Sequence, residues 1–172
     1  MKRILIIGNA GAGKTTFAGK LADKLALPLV HLDRLYWNGE WAHLSKEEFD
    51  AVLQVELEKS EWIMDGNFLR TLSHRLQYCD TVFFLDFSVF TCLCGITCRI
   101  IKNYGKSRPD MGGRCVERFD AQKISFYKNV LTFNKKHRKN YDKLLKQASH
   151  LNVIVFKNRR QADQYIKKIQ DI

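Results

Sequence analysis

The chain has 172 residues, a formal net charge of +11 at pH 7 and 45% hydrophobic residues. This length fits a single domain over residues 1–172 with one hydrophobic core, and the sequence has no run of the roughly 20 apolar residues that a membrane helix needs. The apolar run at the start is too short for a signal peptide. We therefore expect a cytoplasmic protein with no membrane partner.

The first half of the chain alternates short apolar runs with segments of helical periodicity. Ser45 and Glu48 have the spacing of a capping box, which predicts that a helix begins at Ser45. Residues 33–41 are rich in aromatic side chains and are expected to form a loop. The elements predicted for this half are strands at residues 2–7, 29–32 and 62–64 and helices at residues 13–25 and from 45 onward.

The second half continues the alternation. Ser88 and Asp120 are placed to cap helices, and residues 105–118 combine glycine, proline and charge, which is typical of a mobile loop. Alternating strands and helices predict an α/β fold, with a five-stranded parallel sheet between two helical layers. The elements predicted for this half are strands at residues 81–85 and 152–156 and helices at residues 70–76, 88–104, 120–151 and 161–169.

The five cysteines are not expected to form a disulfide framework, because an odd number without an export signal argues against one. Cys94 and Cys98 lie one helical turn apart, and Cys92 and Cys115 would add two more thiols. One interpretation is a zinc site, and the other is reduced cysteines buried on an apolar helix. The lack of a CxxC pair, or of a histidine at zinc spacing, favours the second. Cys79 stands apart from this group.

The segment from Gly8 to Thr15 reads GNAGAGKT and fits the phosphate-loop pattern G-x-x-x-x-G-K-[ST] in full. It follows a predicted strand and precedes a predicted amphipathic helix, which favours a nucleotide site over a glycine-rich turn without a ligand. The loop amides and the helix N-terminus would hold the phosphates, Lys14 would reach the β- and γ-phosphates, and Thr15 would bind Mg²⁺. The predicted nucleotide-binding residues are Gly8, Ala10, Gly11, Ala12, Gly13, Lys14, Thr15 and Thr16.

The segment Asp65-Gly66-Asn67-Phe68-Leu69-Arg70-Thr71 resembles the D-G-F-P-R-T segment of adenylate kinases, with one extra residue and without the proline. The resemblance implies that Asp65 is a ligand on the Mg²⁺ side, usually through water, and that Arg70 binds the acceptor phosphate. It also implies ATP rather than GTP. The alternative interpretation of Asp65-Gly66 is an ordinary turn at a strand end.

The end of the second predicted strand carries the candidate acceptor site. Asp33 lies there, and ligands of open α/β sheets bind beyond the carboxyl ends of the strands. A carboxylate can orient or deprotonate an acceptor hydroxyl, and small-molecule kinases of the phosphate-loop class have an aspartate near this position. Trp37, with Tyr36 and Trp41, would either stack on a substrate ring or cover the core.

The loop at about residues 105–118 is predicted to be an arginine-rich lid. Arg108, Arg114 and Arg118 would neutralise the charge that develops on the transferred phosphoryl group, and closure would exclude water. These arginines complete a catalytic set with Lys14 and Asp33. The alternative is a charged, solvated loop. After the fifth strand, Arg159 and Arg160 would either stack on the nucleotide base or lie on the surface of the last helix.

Further pieces of the chain resemble the bacterial DNA topology modulation proteins (FlaR-related), a group that is itself similar to adenylate kinases. The matching pieces occur in order over nearly the whole length. They are the phosphate loop, His31-Leu32-Asp33, Trp62 to Asn67, Leu85-Asp86-Phe87, Arg108 to Met111, and Glu117 to Asp120. The name of the group implies an effect on DNA, whereas the motifs are those of kinases.

Two functions follow from these features, and a plain hydrolase is disfavoured by the predicted lid. The first is a small-molecule kinase of the nucleotide or nucleoside type, with ATP, Mg²⁺ and an unidentified acceptor. The second is a nucleotide-dependent DNA-binding regulator, because residues 99–146 contain fourteen Lys or Arg against four Asp or Glu. The sequence has no recognised DNA-reading motif, and it leaves the oligomeric state open.

Overall fold

The computed structural model describes residues 1–38, 41–107, 111, 115, 116 and 121–169. At residues 121–123 and 134 it describes only the backbone. All neighbouring strands are parallel, in the order β2-β3-β1-β4-β5. This confirms the predicted five-stranded parallel sheet, and every predicted strand boundary agrees to within one residue. The strands are β1 Arg3–Gly8, β2 Leu29–His31, β3 Trp62–Asp65, β4 Thr81–Leu85 and β5 Asn152–Phe156.

Helices cover both faces of the sheet. The predicted caps at Ser45 and Ser88 are confirmed, since Ser45 and Glu48 form the reciprocal capping box and Ser88 Oγ accepts from the Thr91 amide. The helices are α1 Lys14–Leu25, α2 Leu32–Tyr36, α3 Lys46–Leu57, α4 Leu69–Arg75, α5 Val89–Asn103, α6 Ala121–Phe133, α7 Lys139–Gln147 and α8 Arg159–Lys168.

Two sequence predictions about helices are wrong in part. The expected loop at residues 33–41 begins inside α2, because Leu32 is fully buried and fixes a short helical turn directly after β2. The expected long helix at residues 120–151 is divided by a π-helical turn, Asn134–Arg138, and ends at Gln147. The predicted cap Asp120 lies outside the described residues.

The core is divided by the sheet into two parts. Ile4 and Ile6 of β1 face the part that is covered by α1, α5 and α8, whereas Leu5 and Ile7 face the part that is covered by α3, α4 and α7. Alternate side chains of β1 thus enter opposite layers, as in a strand buried on both faces. All five strands end at the same edge of the sheet, and the phosphate loop leaves the central strand there.

Candidate functional site

The phosphate loop connects β1 to α1, as predicted, and lies against α5. Gly11 has a φ of 79°, and a β-carbon there would lie 2.1 Å from the carbonyl oxygen of Cys92. A β-carbon on Gly95 would in turn lie 2.2 Å from the carbonyl oxygen of Gly11. Two glycines therefore let the loop and α5 meet backbone to backbone. Gly11 belongs to the predicted motif, whereas nothing in the sequence marked Gly95.

Lys14 folds back over the loop that it belongs to. Its Nζ donates to the carbonyl oxygens of Gly8 at 3.0 Å and Asn9 at 3.1 Å. Burial lowers the pKa of Lys14, while the carboxylates of Asp65 and Asp33 favour its charged form. The ammonium group is thus held against the phosphate loop, where it could contact a bound phosphate.

The lining of one large cleft includes most of the predicted nucleotide residues. The cleft has a volume of about 960 Å³, and its lining includes the loop from Ala10 through Thr16 together with Asp33, Trp37 and Asp65. Gly8 is the last residue of β1 and is not among the described residues that line the cleft. Its amide donates to Asn67 Oδ1 at 3.3 Å. The fold therefore brings most of the predicted nucleotide residues, together with Asp33, Trp37 and Asp65, to one opening.

Asp65 ends β3 beside the phosphate loop. Only 4% of the residue is exposed, and its Oδ1 lies 2.6 Å from His31 Nδ1 at the end of β2. The two residues are register partners in neighbouring strands. His31 therefore fixes the orientation of the Asp65 carboxylate, in the way that a partner outside the ligand shell orients a metal ligand.

The loop that follows Asp65 is held by a fully buried arginine, Arg75. Its guanidinium donates to the carbonyl oxygens of Gly66 at 3.3 Å, Asn67 at 2.7 Å and Phe68 at 3.0 Å. Burial lowers the pKa of Arg75 to about 10. The sequence does not indicate this role, because Arg75 resembles any other polar residue on a short helix.

The predicted acceptor side of the cleft is lined by Asp33 and by aromatic side chains. Asp33 lies in the first turn of α2, and Trp37, Trp41 and Phe68 also line the cleft. Trp37 and Trp41 meet edge to face with ring centroids 5.4 Å apart. Tyr36, the third aromatic of the predicted wall, instead stacks on His43 and packs edge to face with Phe49 and Phe68.

Arg70, the predicted acceptor-phosphate ligand, is not brought to the cleft. Its guanidinium makes a bidentate ion pair with Asp50 of α3, at 2.8 and 2.7 Å, on the exposed side of α4. It is absent from the described residues that line the cleft. In this conformation Arg70 joins α4 to α3.

Further cations line the cleft, and one of them is Arg159, which the sequence analysis placed either at the nucleotide base or on the surface of the last helix. Arg99 and Lys102 of α5 and Arg159 at the start of α8 line the cleft. The Arg99 guanidinium lies 5.7 Å from the centre of the Phe126 ring, and the positive charge of Arg99 disfavours protonation of Lys14. Arg159 lies beside Gly95, at the place where the phosphate loop touches α5. Positive charge therefore surrounds the loop on the α5 side.

Asp86, which follows β4, is engaged by two basic residues. Arg138 makes a bidentate contact with it at 3.0 and 2.7 Å, and Lys157 Nζ forms a second ion pair. Arg138 belongs to the π-helical turn, so this turn directs one cation of the basic segment toward the end of the sheet. The positive charge of Arg138 is therefore partly neutralised by Asp86 within the fold.

Of the predicted lid, the structure describes its beginning and a few further residues. Ser107 and Val116 form an isolated antiparallel bridge, and the Trp41 indole donates to the carbonyl oxygen of Val116 at 3.3 Å. Met111 and Val116 line the cleft. The catalytic candidates Arg108, Arg114 and Arg118 lie outside the described residues.

Cys79, Cys92 and Cys115 are buried, whereas Cys94 and Cys98 are exposed. Burial raises the pKa of Cys92 and raises that of Cys79 to about 12. The described residues contain no group of three His, Cys, Asp or Glu side chains placed to hold a metal ion. None of the described helices is both long enough and apolar enough to cross a membrane.

No model of a known protein family matches the chain, and no curated protein matches it. Solved structures do match. The shikimate kinase of Acinetobacter baumannii in complex with shikimate has a TM-score of 0.58 and 16% identity over 98% of this chain and 90% of that one. The shikimate kinase of Bacteroides thetaiotaomicron has a TM-score of 0.55 and 14% identity over 97% and 95%. A sugar kinase of Janibacter sp. HTCC2649 has a TM-score of 0.54 and 14% identity over 98% and 91%. The chain thus shares the three-layer α/β fold of these kinases, as the sequence predicted.

Proposed function

We propose that the chain is an ATP-dependent phosphotransferase, a small-molecule kinase that acts as a single domain. The observation that carries this proposal is the shared cleft, in which the phosphate loop, Asp33 and Asp65 line one opening of about 960 Å³. A cleft of this size accommodates a nucleotide and a small acceptor together. The fold likeness to kinases supports the same proposal.

The nucleotide phosphates are bound by the loop amides and by Lys14. To reach them, Lys14 exchanges the carbonyl oxygens of Gly8 and Asn9 for phosphate oxygens. The lowered pKa of Lys14 rises on binding, because an anion next to an ammonium stabilises its charge. Arg99 and Arg159 add positive charge on the α5 side of the same cleft.

Mg²⁺ fits the oxygen donors that the site offers. The Thr15 hydroxyl and the Asp65 carboxylate both line the cleft, and Mg²⁺ in phosphoryl-transfer sites is held by one or two protein oxygens, phosphate oxygens and water. When bound, the ion neutralises charge on the phosphates during transfer. His31 keeps the Asp65 carboxylate oriented for this role.

Asp33 is the proposed base. The acceptor oxygen forms a bond to the γ-phosphorus while the bond from that phosphorus to the bridging oxygen of ADP breaks, and the electron pair leaves with ADP. The acceptor hydroxyl proton passes to the Asp33 carboxylate. Arg108, Arg114 and Arg118 of the lid are proposed to neutralise charge on the moving group and to exclude water.

The acceptor is proposed to be a hydroxylated small molecule with a flat or ring-shaped face. Trp37, Trp41 and Phe68 supply an aromatic lining next to Asp33. The ion pair of Arg70 with Asp50 removes one candidate phosphate ligand from this side. A nucleoside or a cyclic polyol therefore fits this side better than a nucleoside monophosphate.

The test offers Mg²⁺-ATP with panels of nucleosides, nucleotides and hydroxylated metabolites, and measures ADP and phosphorylated product. Lys14→Ala should weaken Mg²⁺-ATP binding by about 100-fold or more. Asp33→Asn should keep ATP affinity and lower kcat by about 10²–10⁴-fold. Lys168→Ala, which removes an exposed lysine of α8, is the matched control and should change neither.

The outcome also decides between kinase and DNA-binding regulator. Phosphorylated acceptor supports the kinase. ATP-sensitive binding of duplex DNA without turnover of any acceptor supports instead the alternative suggested by the DNA topology modulation proteins. A chain with no Mg²⁺-dependent affinity for any nucleoside triphosphate is incompatible with both functions.

A further inference from the structure

One face of α5 is apolar and exposed along the whole helix. Phe90 is 76% exposed, Ile101 71% and Tyr104, which follows the last helical residue, 63%. Cys94 and Thr97, also exposed, lie between them, so the five residues are spaced 4, 3, 4 and 3 apart. This spacing is typical of a helix face that packs against another helix. The core-facing side of α5 is a different one, which Cys92, Ile96 and Ile100 occupy.

An exposed apolar edge of α6 continues this face. Ile124 is 51% exposed and Leu131, seven residues later, is 53% exposed. Tyr127 lies between them, and its hydroxyl is 3.1 Å from Thr97 Oγ1. The two helices thus share one surface, which we call the α5–α6 surface. It consists of Phe90, Cys94, Thr97, Ile101, Tyr104, Ile124, Tyr127 and Leu131.

The α5–α6 surface carries almost no charge, although the chain as a whole is strongly basic. Residues 89–98 contain no acidic, basic or histidine side chain, and the two cations later in α5, Arg99 and Lys102, line the cleft instead. On α6, Lys128 is the one charged residue between 124 and 133. A partner recognised by its acidity would therefore dock elsewhere. A second copy of the chain presents the same neutral face, and contact through it keeps the basic surfaces of the two copies apart.

The exposed apolar area approaches what a pair of identical chains needs from each partner. Exposed aromatic and aliphatic side chains of this kind present roughly 100–150 Å² each, so the five most exposed ones offer on the order of 600 Å². A stable interface needs about 800 Å² from each partner. The neighbouring Cys94, Thr97 and Tyr127 supply part of the remainder. A patch of about 600 Å² lies at the upper end of what monomeric proteins expose, and patches of this size often mark interaction sites.

We infer that the α5–α6 surface is the interface of a homodimer with two-fold symmetry. The same patch meets its copy, as an isologous interface requires, and the α5–α6 pairs of the two chains form a four-helix contact. The opposite side of α5 holds Gly95 against the phosphate loop and Arg99 in the cleft. Dimerisation therefore supports the wall of each nucleotide site from behind.

The test measures molar mass by sedimentation equilibrium from about 1 to 100 µM, a range that covers weak and stable interfaces. The wild-type chain should show twice its monomer mass of 20.1 kDa. The double variant Phe90→Asp with Ile101→Asp should weaken dimerisation by about 100-fold or more, because two buried anchors are lost and two carboxylates are desolvated. Circular dichroism should be unchanged, since both side chains are exposed in the monomer.

Val55→Asp is the matched control, because Val55 is a 60% exposed apolar residue on α3, away from the α5–α6 surface. It should leave the dimer intact. A wild-type chain that stays at 20.1 kDa over the whole range overturns the inference, and so does a double variant that remains dimeric. A monomer that binds phosphatidylglycerol vesicles through Phe90 and Ile101 also overturns it and assigns the surface to a membrane interface.

Discussion

A β-carbon on Gly95 would lie 2.2 Å from the carbonyl oxygen of Gly11, so α5 supports the phosphate loop through direct backbone contact. Gly95→Ala should therefore displace the loop. Overpacking of this kind costs about 1–3 kcal/mol of the free energy of unfolding, and we expect affinity for Mg²⁺-ATP to fall at least tenfold. Urea denaturation and calorimetric titration measure the two effects.

Gly19→Ala is the matched control, because Gly19 lies within α1 and a β-carbon there meets no heavy atom within 4 Å. Replacement of an unconstrained helical glycine should stabilise the protein by about 0.5–1 kcal/mol and leave nucleotide affinity unchanged. Equal behaviour of the two alanine variants would show that the contact between α5 and the loop is unimportant.

The contact between His31 and Asp65 predicts that loss of the His31 side chain weakens the Mg²⁺-dependent binding of ATP. His31→Ala leaves the nearly buried carboxylate without its 2.6 Å partner, which should cost about 1–3 kcal/mol of stability. Affinity for ATP should fall more with Mg²⁺ than without it, because the orientation of Asp65 is lost.

His31→Asn tests whether a hydrogen-bond donor near the position of Nδ1 is enough to orient the Asp65 carboxylate. An asparagine amide can donate from nearly that position. It should restore most of the Mg²⁺-dependent affinity. His150→Ala removes an exposed histidine and is the control. An equal loss of affinity with and without Mg²⁺ in His31→Ala would contradict the proposed orientation of Asp65.

Arg75 and Arg70 lie on the same short helix, but loss of their charge should destabilise the protein to very different extents. Arg75→Met leaves the carbonyl oxygens of Gly66, Asn67 and Phe68 without their donor, and should cost roughly 2–4 kcal/mol of the free energy of unfolding. Arg70→Met breaks only a surface ion pair and should cost under about 1 kcal/mol. Urea denaturation of both variants measures the difference, and similar losses would contradict it.

The sequence predicted the parts of the fold that depend on local pattern. Apolar runs such as residues 81–85 fix strands regardless of their neighbours, and Ser45 and Ser88 cap helices through bonds within one turn. The strand order was not predicted, because it depends on contacts between residues far apart in the chain. The π-helical turn was not predicted either, and its Arg138 makes a long-range contact of this kind, the ion pair with Asp86.

The candidate site shows the same difference between features set by local sequence and features set by contacts with distant elements. The phosphate loop has a fixed spacing and was placed by sequence alone, whereas Gly95 and Arg75 act through partners in other elements and left no local signal. Arg70 was assigned by resemblance, and the neighbouring α3 supplies Asp50, which changes what its guanidinium meets. Local motifs therefore predict where the phosphates bind better than they predict what holds the binding loop in place.

The buried phenol of Tyr141 makes the free energy of unfolding depend on pH in the alkaline range. It is 1% exposed, and burial raises its pKa from the ordinary value of 10.0 to about 12. The folded chain thus keeps the phenol proton over a range in which the unfolded chain loses it. This stabilisation is complete below pH 10 and is lost as the pH rises toward 12. At about 1.4 kcal/mol per pKa unit, the whole loss is about 3 kcal/mol.

Tyr141→Phe removes this titration and keeps the ring in place. The difference in unfolding free energy between the wild type and the variant should be constant from about pH 7 to 9 and should then shift in favour of the variant as the pH rises from 10 to 11. The raised pKa of Cys79 acts in the same direction, but it is common to both proteins and cancels in the difference. Urea denaturation across this range measures the shift. Parallel profiles would show that the Tyr141 phenol ionises as readily in the folded chain as in the unfolded one, contrary to its burial.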